Sequence, residues 1–402
     1  MLAYPLPTWA WPQPMAAHAE PRPMVSALLG KLHSHLQRNL EIAGYELGNM
    51  SGASGVAPAI QVLGESVSIA PAVRQCVAVR HRSRQMLTVV RTAQNEMTLD
   101  SWRVNADGSI IWTGTSGPQT ERVAQIALAR AAKYVVAYRT DTQRLKLVSW
   151  DVSNTGAIYR AGESDPWPEP VRKVTLCALN DETVVTACIM RDRRLKLITW
   201  RLGADATVAP LRTLEAGDEA VRSVEITSLS TQGNALHFAT VLRTAAGQLV
   251  TQVWQVTPDG GLVGRGQAVL AQPGSQPQAM TQAQSYLITA IRTVAGETRL
   301  LSWRWRGSEA PPELVDEIAV RAGGVAEDEP ARRISIMPAA GGVITAIQTR
   351  QDRVQLARWE IRPDGAFQRG VESALRPVAA GPLALCPDLL DGNAPILTGL
   401  KT

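Results

Sequence analysis

Short runs of alternating apolar and polar residues fill this chain, and each run is cut off by a turn signal. Residues 144–150 read RLKLVSW and residues 194–200 read RLKLITW. A period of two places one set of side chains on each face of a strand. The segments that follow, DVSNTGAIYRAGES, QVTPDGGLVGRGQA and EIRPDGAFQRGVES, carry Asp-Gly or Asn-Thr-Gly steps, which are turn chemistry. Helical spacing occurs once, near the N-terminus, where PMVSALLGKLHSHLQ sets Leu28, Leu29, Leu32 and Leu36 on one face.

The near-identity of the two heptapeptides is one instance of a longer repeat. Trp102, Trp150, Trp200, Trp254, Trp303 and Trp359 fall 48 to 56 residues apart. An Arg-Thr-like pair precedes the Trp by eleven residues in VVAYRTDTQRLKLVSW, VLRTAAGQLVTQVW, AIRTVAGETRLLSW and AIQTRQDRVQLARW. Units of this length built from short strands and turns predict a β-propeller with four strands per blade. Strand A is of the VRKVTLCAL type, B of the TVVTACI type, C of the RLKLITWRL type and D of the GAIYRAGES type.

Six Trp mark six blades, and the ends predict one more. NLEIAGYELGNMSG aligns with a third strand, with Tyr45 at the Trp position, and VAPAIQVLGES matches a fourth. VAAGPLALCPDLL and PILTGLKT match a first and a second strand. The expectation is therefore an all-β, seven-bladed propeller over residues 38–402, closed by two strands from each end, with residues 1–37 as an N-terminal arm. Loss of the last ten residues should open the ring. The arm begins with the polyproline-like YPLPTWAWPQP and is expected to act as a clasp, a lid or a docking segment.

The strand order, with its Trp-bearing third strand and Asp-Gly turn, resembles the Trp-Asp repeat propellers and bacterial propellers with LKLxSW blades. The Gly-His dipeptide of the former is absent, and a Trp-Asp pair occurs only at Trp150-Asp151. The resemblance implies a propeller fold and, for Trp-Asp repeats, a protein-interaction scaffold.

Composition narrows the function without choosing it. The 402 residues include 41 basic and 36 acidic side chains, a net charge of +5, with Arg far outnumbering Lys. That balance, without aromatic-basic interleaving, does not point to nucleic acid. Cys76, Cys177, Cys188 and Cys386 lie in apolar strand contexts without CxxC spacing and read as buried thiols. The five His are scattered, so neither metal nor other cofactor is expected. No apolar run reaches membrane-spanning length. The N-terminus lacks a positive n-region, which favours the cytoplasm, with a secreted or periplasmic location as the alternative; a monomer is expected.

Residues repeated in every blade serve the fold; residues that break the repeat are the functional candidates. The repeated Trp should be core. The strand B cations Arg91, Arg139, Arg243, Arg292 and Lys401 lie on the face where strand A begins, called the top here. So do Arg74, Arg122, Arg172, Arg222 and Arg332 at the start of strand A, with Glu65, Glu163 and Glu372 expected to pair with them across blades. Alternation assigns Cys76, Ile126, Val174, Val224, Met280 and Ile334 to the blade cores. The other phase, Gln75, Gln125, Lys173, Thr175, Ser223, Glu225, Thr281, Arg333 and Ser335, should line a central channel. Lys173, Glu225 and Arg333 are its charged members and the candidates for acid–base work. Trp167, in the rigid ESDPWPEP loop, is a candidate exposed anchor. His81 and His237 fall towards the opposite face and read as incidental.

These features lead to a binding propeller whose electropositive top and polar funnel take an anionic or polar small molecule or an acidic protein surface. The alternatives are a metal-independent lyase, cyclase or hydrolase with its site in the channel, and a carbohydrate-binding lectin.

Overall fold

A computed structural model of the chain describes residues 41–47, 60–65, 73–82, 84–105, 109–230, 235–271, 275–307, 310–320, 331–351, 353–373, 376–377, 384–386 and 396–400. The arm and its helix, Lys401 and several loops lie outside the described residues.

The described chain is an all-β propeller of four-stranded antiparallel blades. Six blades are each cut from one contiguous stretch. The first consists of Val73–Arg82, Gln85–Thr92, Met97–Val104 and Ile110–Thr115, and the second of Val123–Arg130, Tyr134–Thr140, Leu145–Val152 and Ile158–Glu163. The third is Val171–Ala178, Thr183–Met190, Leu195–Leu202 and Val208–Glu215, and the fourth Val221–Leu229, Leu236–Thr244, Leu249–Val256 and Leu262–Leu270. The fifth is Gln276–Ala283, Tyr286–Arg292, Thr298–Arg304 and Glu313–Val320, and the sixth Ala331–Ala339, Gly342–Thr349, Arg353–Ile361 and Phe367–Glu372. The contiguous repeat thus accounts for six of the seven expected blades. The ends supply a further four-stranded sheet, in the order Ile60–Glu65, Glu41–Leu47, Ile396–Leu400, Ala384–Cys386. Its strand Ala384–Cys386 touches the inner strands of both the sixth and the first blade.

The core lies between blades rather than within them. One apolar cluster joins Leu145 and Leu147 of the second blade to Val174, Cys188 and Trp200 of the third. Equivalent clusters join the third to the fourth, the fourth to the fifth and the fifth to the sixth. Leu385 of the end sheet packs against Met337, Ile344 and Leu356 of the sixth. Second strands are therefore covered on both faces, as in Gly342–Thr349, where every residue is buried. Outer strands are mostly half-buried or exposed, as in Ile158–Glu163.

The repeated Trp are core, between 0% and 4% exposed. Full burial of so large a side chain contributes about 2–3 kcal/mol per blade. Four of them also donate an indole N–H to a threonine on the second strand: Trp102 to Thr88 (2.9 Å), and Trp200 to Thr186, Trp254 to Thr240 and Trp359 to Thr345 (each 3.0 Å). In the second blade Val136 stands at the threonine position, and Trp150 Nε1 is buried without a partner.

The residue before the Trp explains the rest of the LxSW pattern. Ser149 Oγ donates to the Ala206 carbonyl and Thr199 Oγ1 to the Gly260 carbonyl, both at 2.8 Å, and each carbonyl belongs to the turn between third and fourth strands of the next blade. Gly162 on the outer strand approaches that same turn so closely that a Cβ would lie 2.2 Å from Ala206 O. The Thr of the Arg-Thr pair is local: Thr92, Thr140, Thr244, Thr293 and Thr349 each accept, through Oγ1, the backbone N–H four residues on, closing the turn into the third strand.

Candidate functional site

The inner strands carry most of the residues singled out by alternation, and the structure gives several of them another role. Gln75 donates from Nε2 to Ile126 O (2.6 Å) and accepts from Ile126 N (3.0 Å). Gln125 does the same to Val174, at 3.0 and 3.2 Å. Each carboxamide thus plays the part of one backbone unit and staples its inner strand to the next. The staple takes one N–H and one lone pair of each carboxamide and fixes its orientation towards the neighbouring strand. Gln75 and Gln125 are seam residues.

The next members of the series change chemistry. Lys173, at the glutamine position of the third blade, reaches Glu225 of the fourth at 2.7 Å, with 27% and 22% of the two side chains exposed. Burial pushes the Glu225 carboxyl above its ordinary value, and Lys173 opposes that rise. Ser223 stands at the glutamine position of the fourth blade, and its buried Oγ has no partner. The reason lies across the seam. The receiving position in the fifth blade is Pro277, opposite Ile291 as Val174 is opposite Cys188, and proline has no N–H to give. The seam is held at its other end instead, in the reverse direction. Gln282 of the fifth blade accepts from Ser230 N (2.5 Å) and donates to Ser230 O (3.3 Å).

Beyond its bulge between Pro277 and Ala279, the fifth inner strand is offset by two residues from the alignment read in the sequence. Thr281 therefore pairs with Ile288, as Cys177 pairs with Val185, and is 8% exposed. Ala279 occupies the place expected for it, and Thr281, two residues on, keeps the same face of the strand at a buried register. Thr175, Glu225 and Ser335 sit at equivalent registers on the third, fourth and sixth blades, each partly buried. Thr175 Oγ1 contacts the Ala187 carbonyl of its own blade at 3.4 Å. Arg333 is exposed at the start of the sixth inner strand, two blades beyond Glu225. Of the three charged candidates the structure brings together Lys173 and Glu225.

Trp167 is not an exposed anchor. Its ring packs edge-on against Trp200, with centroids 5.9 Å apart, and its backbone N–H donates to Leu145 O at 2.7 Å. The prolines around it hold the loop over the third blade's core, where the apolar ring gains more by covering Trp200 than by facing water.

The top face differs from expectation in its ion pairs. Glu163 is taken by Lys146 (2.8 Å) and Arg160, and Glu372 by Arg369 and by Gln355 at 3.2 Å. These partners lie on the carboxylate's own blade. Arg74, Arg122, Arg172, Arg222 and Arg332 are exposed. Arg91 donates to Asn95 Oδ1 at 2.8 Å, and burial, followed by repulsion from Arg74 and Arg139, holds its guanidinium below the ordinary value. Burial does the same to Arg139.

On the opposite face two cavities flank the fourth blade. One, of about 490 Å³, lies towards the fifth blade and is lined by His237, Gln282, Tyr286, Trp305 and Arg306 among others. The other, of about 440 Å³, lies towards the third and includes Arg201, Gln255 and Thr183. Sequence reading passed over the first because Trp305 falls two residues after a repeated Trp, where Val104, Val152, Leu202, Val256 and Ile361 are core. Its size and place as an aromatic among aliphatics were the available signal.

Cys76, Cys177 and Cys188 are free and buried, and burial pushes the Cys76 and Cys188 thiols up to about 12. Among the described residues no group of three or more His, Cys, Asp or Glu could hold a metal ion, and no helix is long and apolar enough to cross a membrane.

No family model and no curated protein matches the sequence. The fold does have solved counterparts. The periplasmic gluconolactonase of Pseudomonas aeruginosa superposes with a TM-score of 0.56 at 12% identity, over 89% of this chain and 99% of that one. A candidate 6-phosphogluconolactonase of Bacteroides fragilis gives 0.53 at 11% identity, over 84% and 96%. The lectin SapL1, solved with α-methyl fucoside, gives 0.48 at 11% identity, over 77% and 97%. At these identities the likeness is one of fold. The two counterparts that superpose above 0.5 bear lactonase names, whereas the sequence resemblance is to Trp-Asp repeats.

Proposed function

We propose that this propeller, closed as a seven-bladed ring by the sheet of its two ends, is a binding protein for an anionic ligand or acidic surface on its top face. The observation that carries this reading is the crowding of Arg91 by Arg74 and Arg139, while Glu163 and Glu372 are engaged within their own blades. Cations held near one another without carboxylates raise the local potential and draw anions in. The guanidinium fork suits carboxylate and phosphate groups. The six repeated Trp are buried, so a sugar platform repeated in every blade has no exposed ring to use. The test is a calorimetric titration with sodium tripolyphosphate. Saturable binding that weakens at least about fivefold in Arg74→Ala, and again as salt is raised, supports the reading. Absence of binding, or binding indifferent to Arg74→Ala and Arg139→Ala, removes it.

A second reading draws on Glu225. A carboxyl raised by burial beside an ammonium at 2.7 Å, on an inner strand and still about a fifth exposed, is a general acid–base candidate. Two solved counterparts bear lactonase names, so hydrolysis of a sugar lactone, followed by proton release, is the assay. Turnover abolished by Glu225→Gln would support it, and no proton release above the uncatalysed rate would end it. A periplasmic location accompanies this reading, since one of those counterparts is periplasmic. The cytoplasmic alternative goes with the free thiols.

A further inference from the structure

The seam between the fourth and fifth blades is where the repeat fails most. The upper staple is missing, since Ser223 faces Pro277, and the lower one is reversed through Gln282. Two aromatic substitutions occur at this same seam. His237 is the second residue of the fourth blade's second strand, at the position where the other blades have Gln85, Lys133, Thr183, Tyr286 and Gly342. Trp305 stands where the others have Val, Leu or Ile. The two rings meet at 5.1 Å between centroids, tilted by 55°. They form one wall of the 490 Å³ cavity, with Leu229 and Leu287 as its apolar part. That volume is in the range of small-molecule sites.

The charges around the cavity are mainly positive. Arg306 lines it and is largely exposed, in a solvent-exposed ion pair with Glu313 at 3.6 Å that a ligand carboxylate would compete for. Arg304 lies over the Tyr286 ring, 5.5 Å from its centroid, and donates to the Tyr286 hydroxyl (3.2 Å) and to the Asp364 carbonyl (2.5 Å). Arg265 is close enough to His237 to disfavour its protonation, after burial, which is the larger cause. His237 therefore presents a neutral ring at neutral pH. The Tyr286 hydroxyl donates to Pro363 O at 2.6 Å, which fixes the opposite side of the cavity to the sixth blade. Trp305 Nε1 is buried without a partner.

We infer that this cavity is a second binding site, separate from the top face, for a planar aromatic molecule carrying a carboxylate. The ring would lie against Trp305 and His237 between Leu229 and Leu287, and the carboxylate would meet Arg306 at the mouth. A saccharide would find a single ring pair but few free donors and acceptors, since Gln282 and Tyr286 are already engaged with backbone. The cation and the aromatic wall, by contrast, match an aryl acid on both counts.

The experiment is a titration of the whole chain with 1-naphthoate, the neutral 1-naphthalenemethanol and methyl α-glucoside, followed by calorimetry and by saturation-transfer NMR. The expected result is saturable binding of 1-naphthoate that is weakened about tenfold by Arg306→Ala, the scale of one charge-assisted hydrogen bond. The neutral alcohol should bind more weakly and be indifferent to Arg306→Ala, whereas Trp305→Leu should weaken both. Arg306 is an exposed side chain, so its removal leaves the fold intact and keeps the test decisive even if Trp305→Leu is unstable. Binding of the glucoside alone, no saturable binding, or naphthoate binding unchanged in Arg306→Ala would overturn the inference. Because Arg74 and Arg139 lie on the other face, their variants should leave naphthoate binding unchanged.

Discussion

Gln125 holds both the N–H and the C=O of Val174, at 3.2 and 3.0 Å, across the seam between the second and third blades. A side chain that completes a neighbour's backbone is a strong local constraint, because removing it leaves two polar groups of an inner strand unpaired. Gln125→Ala should therefore lower stability by about 1–3 kcal/mol, read from urea unfolding of the whole chain. A loss within error would mean that water replaces the staple without cost.

The fourth blade offers the complementary test. Ser223→Gln should bring no gain, because Pro277 cannot donate to it. Ser223→Gln combined with Pro277→Ala should be more stable than the sum of the single variants by about 1 kcal/mol, measured as a double-mutant cycle. Strict additivity would refute the account of why serine stands there.

Trp150 Nε1 lacks the threonine that four other blades provide. Val136→Thr is close to isosteric and should stabilise the protein by about 1 kcal/mol, seen as a rise in unfolding midpoint. Its limit is visible in the fifth blade, where Thr289 is present yet neither its hydroxyl nor Trp303 Nε1 finds a partner. A loss of stability in Val136→Thr would show that the second blade behaves like the fifth.

Acid should reveal two opposed groups in the first blade. Burial, with repulsion from Arg82 and Arg130, lowers His81 from 6.5 to about 4, while its Nδ1 contacts the Tyr134 hydroxyl. Between those values the unfolded chain holds the extra proton, so this group's contribution is complete above pH 6.5 and is lost as pH falls to about 4. Burial raises Asp100 from 3.8 to about 6, and there the folded chain holds the extra proton, so acidification through that window stabilises. The two effects offset one another in the native protein. His81→Gln should become more stable between pH 6 and pH 4.5, and Asp100→Asn less stable, each by at most about 2 kcal/mol. Parallel pH profiles for both variants would contradict the assignment.

The pair Lys173–Glu225 spans two blades while remaining partly exposed. Glu225→Gln alone should cost about 1–2 kcal/mol, below the cost for a fully buried pair. Lys173→Met with Glu225→Leu should recover most of it. Failure of the double variant to recover would indicate that the charges are needed for more than mutual compensation.

Much of this protein could be read from its residues. The spacing of the Trp, the alternation on either side of each and the turn steps between them determined a β-propeller and its strand order, because each blade must solve the same packing problem. The same logic placed Trp150 and Trp200 in the core. It also kept Cys76, Cys177 and Cys188 out of disulfides.

What only tertiary structure decided was how each blade meets the next. Gln75 and Gln125 looked like channel polar groups, since alternation tells which way a side chain leaves its strand and not whose backbone it finds there. Thr281 kept its face but lies two residues further along the strand than the repeat suggested, at the register of Cys177, where it is 8% exposed. Trp167 looked exposed in a proline-rich loop, yet Trp200, distant in sequence, lies beneath it. Trp305 and His237 are separated by 68 residues, and no local pattern relates them; the closing of one blade on another brings their rings to 5.1 Å.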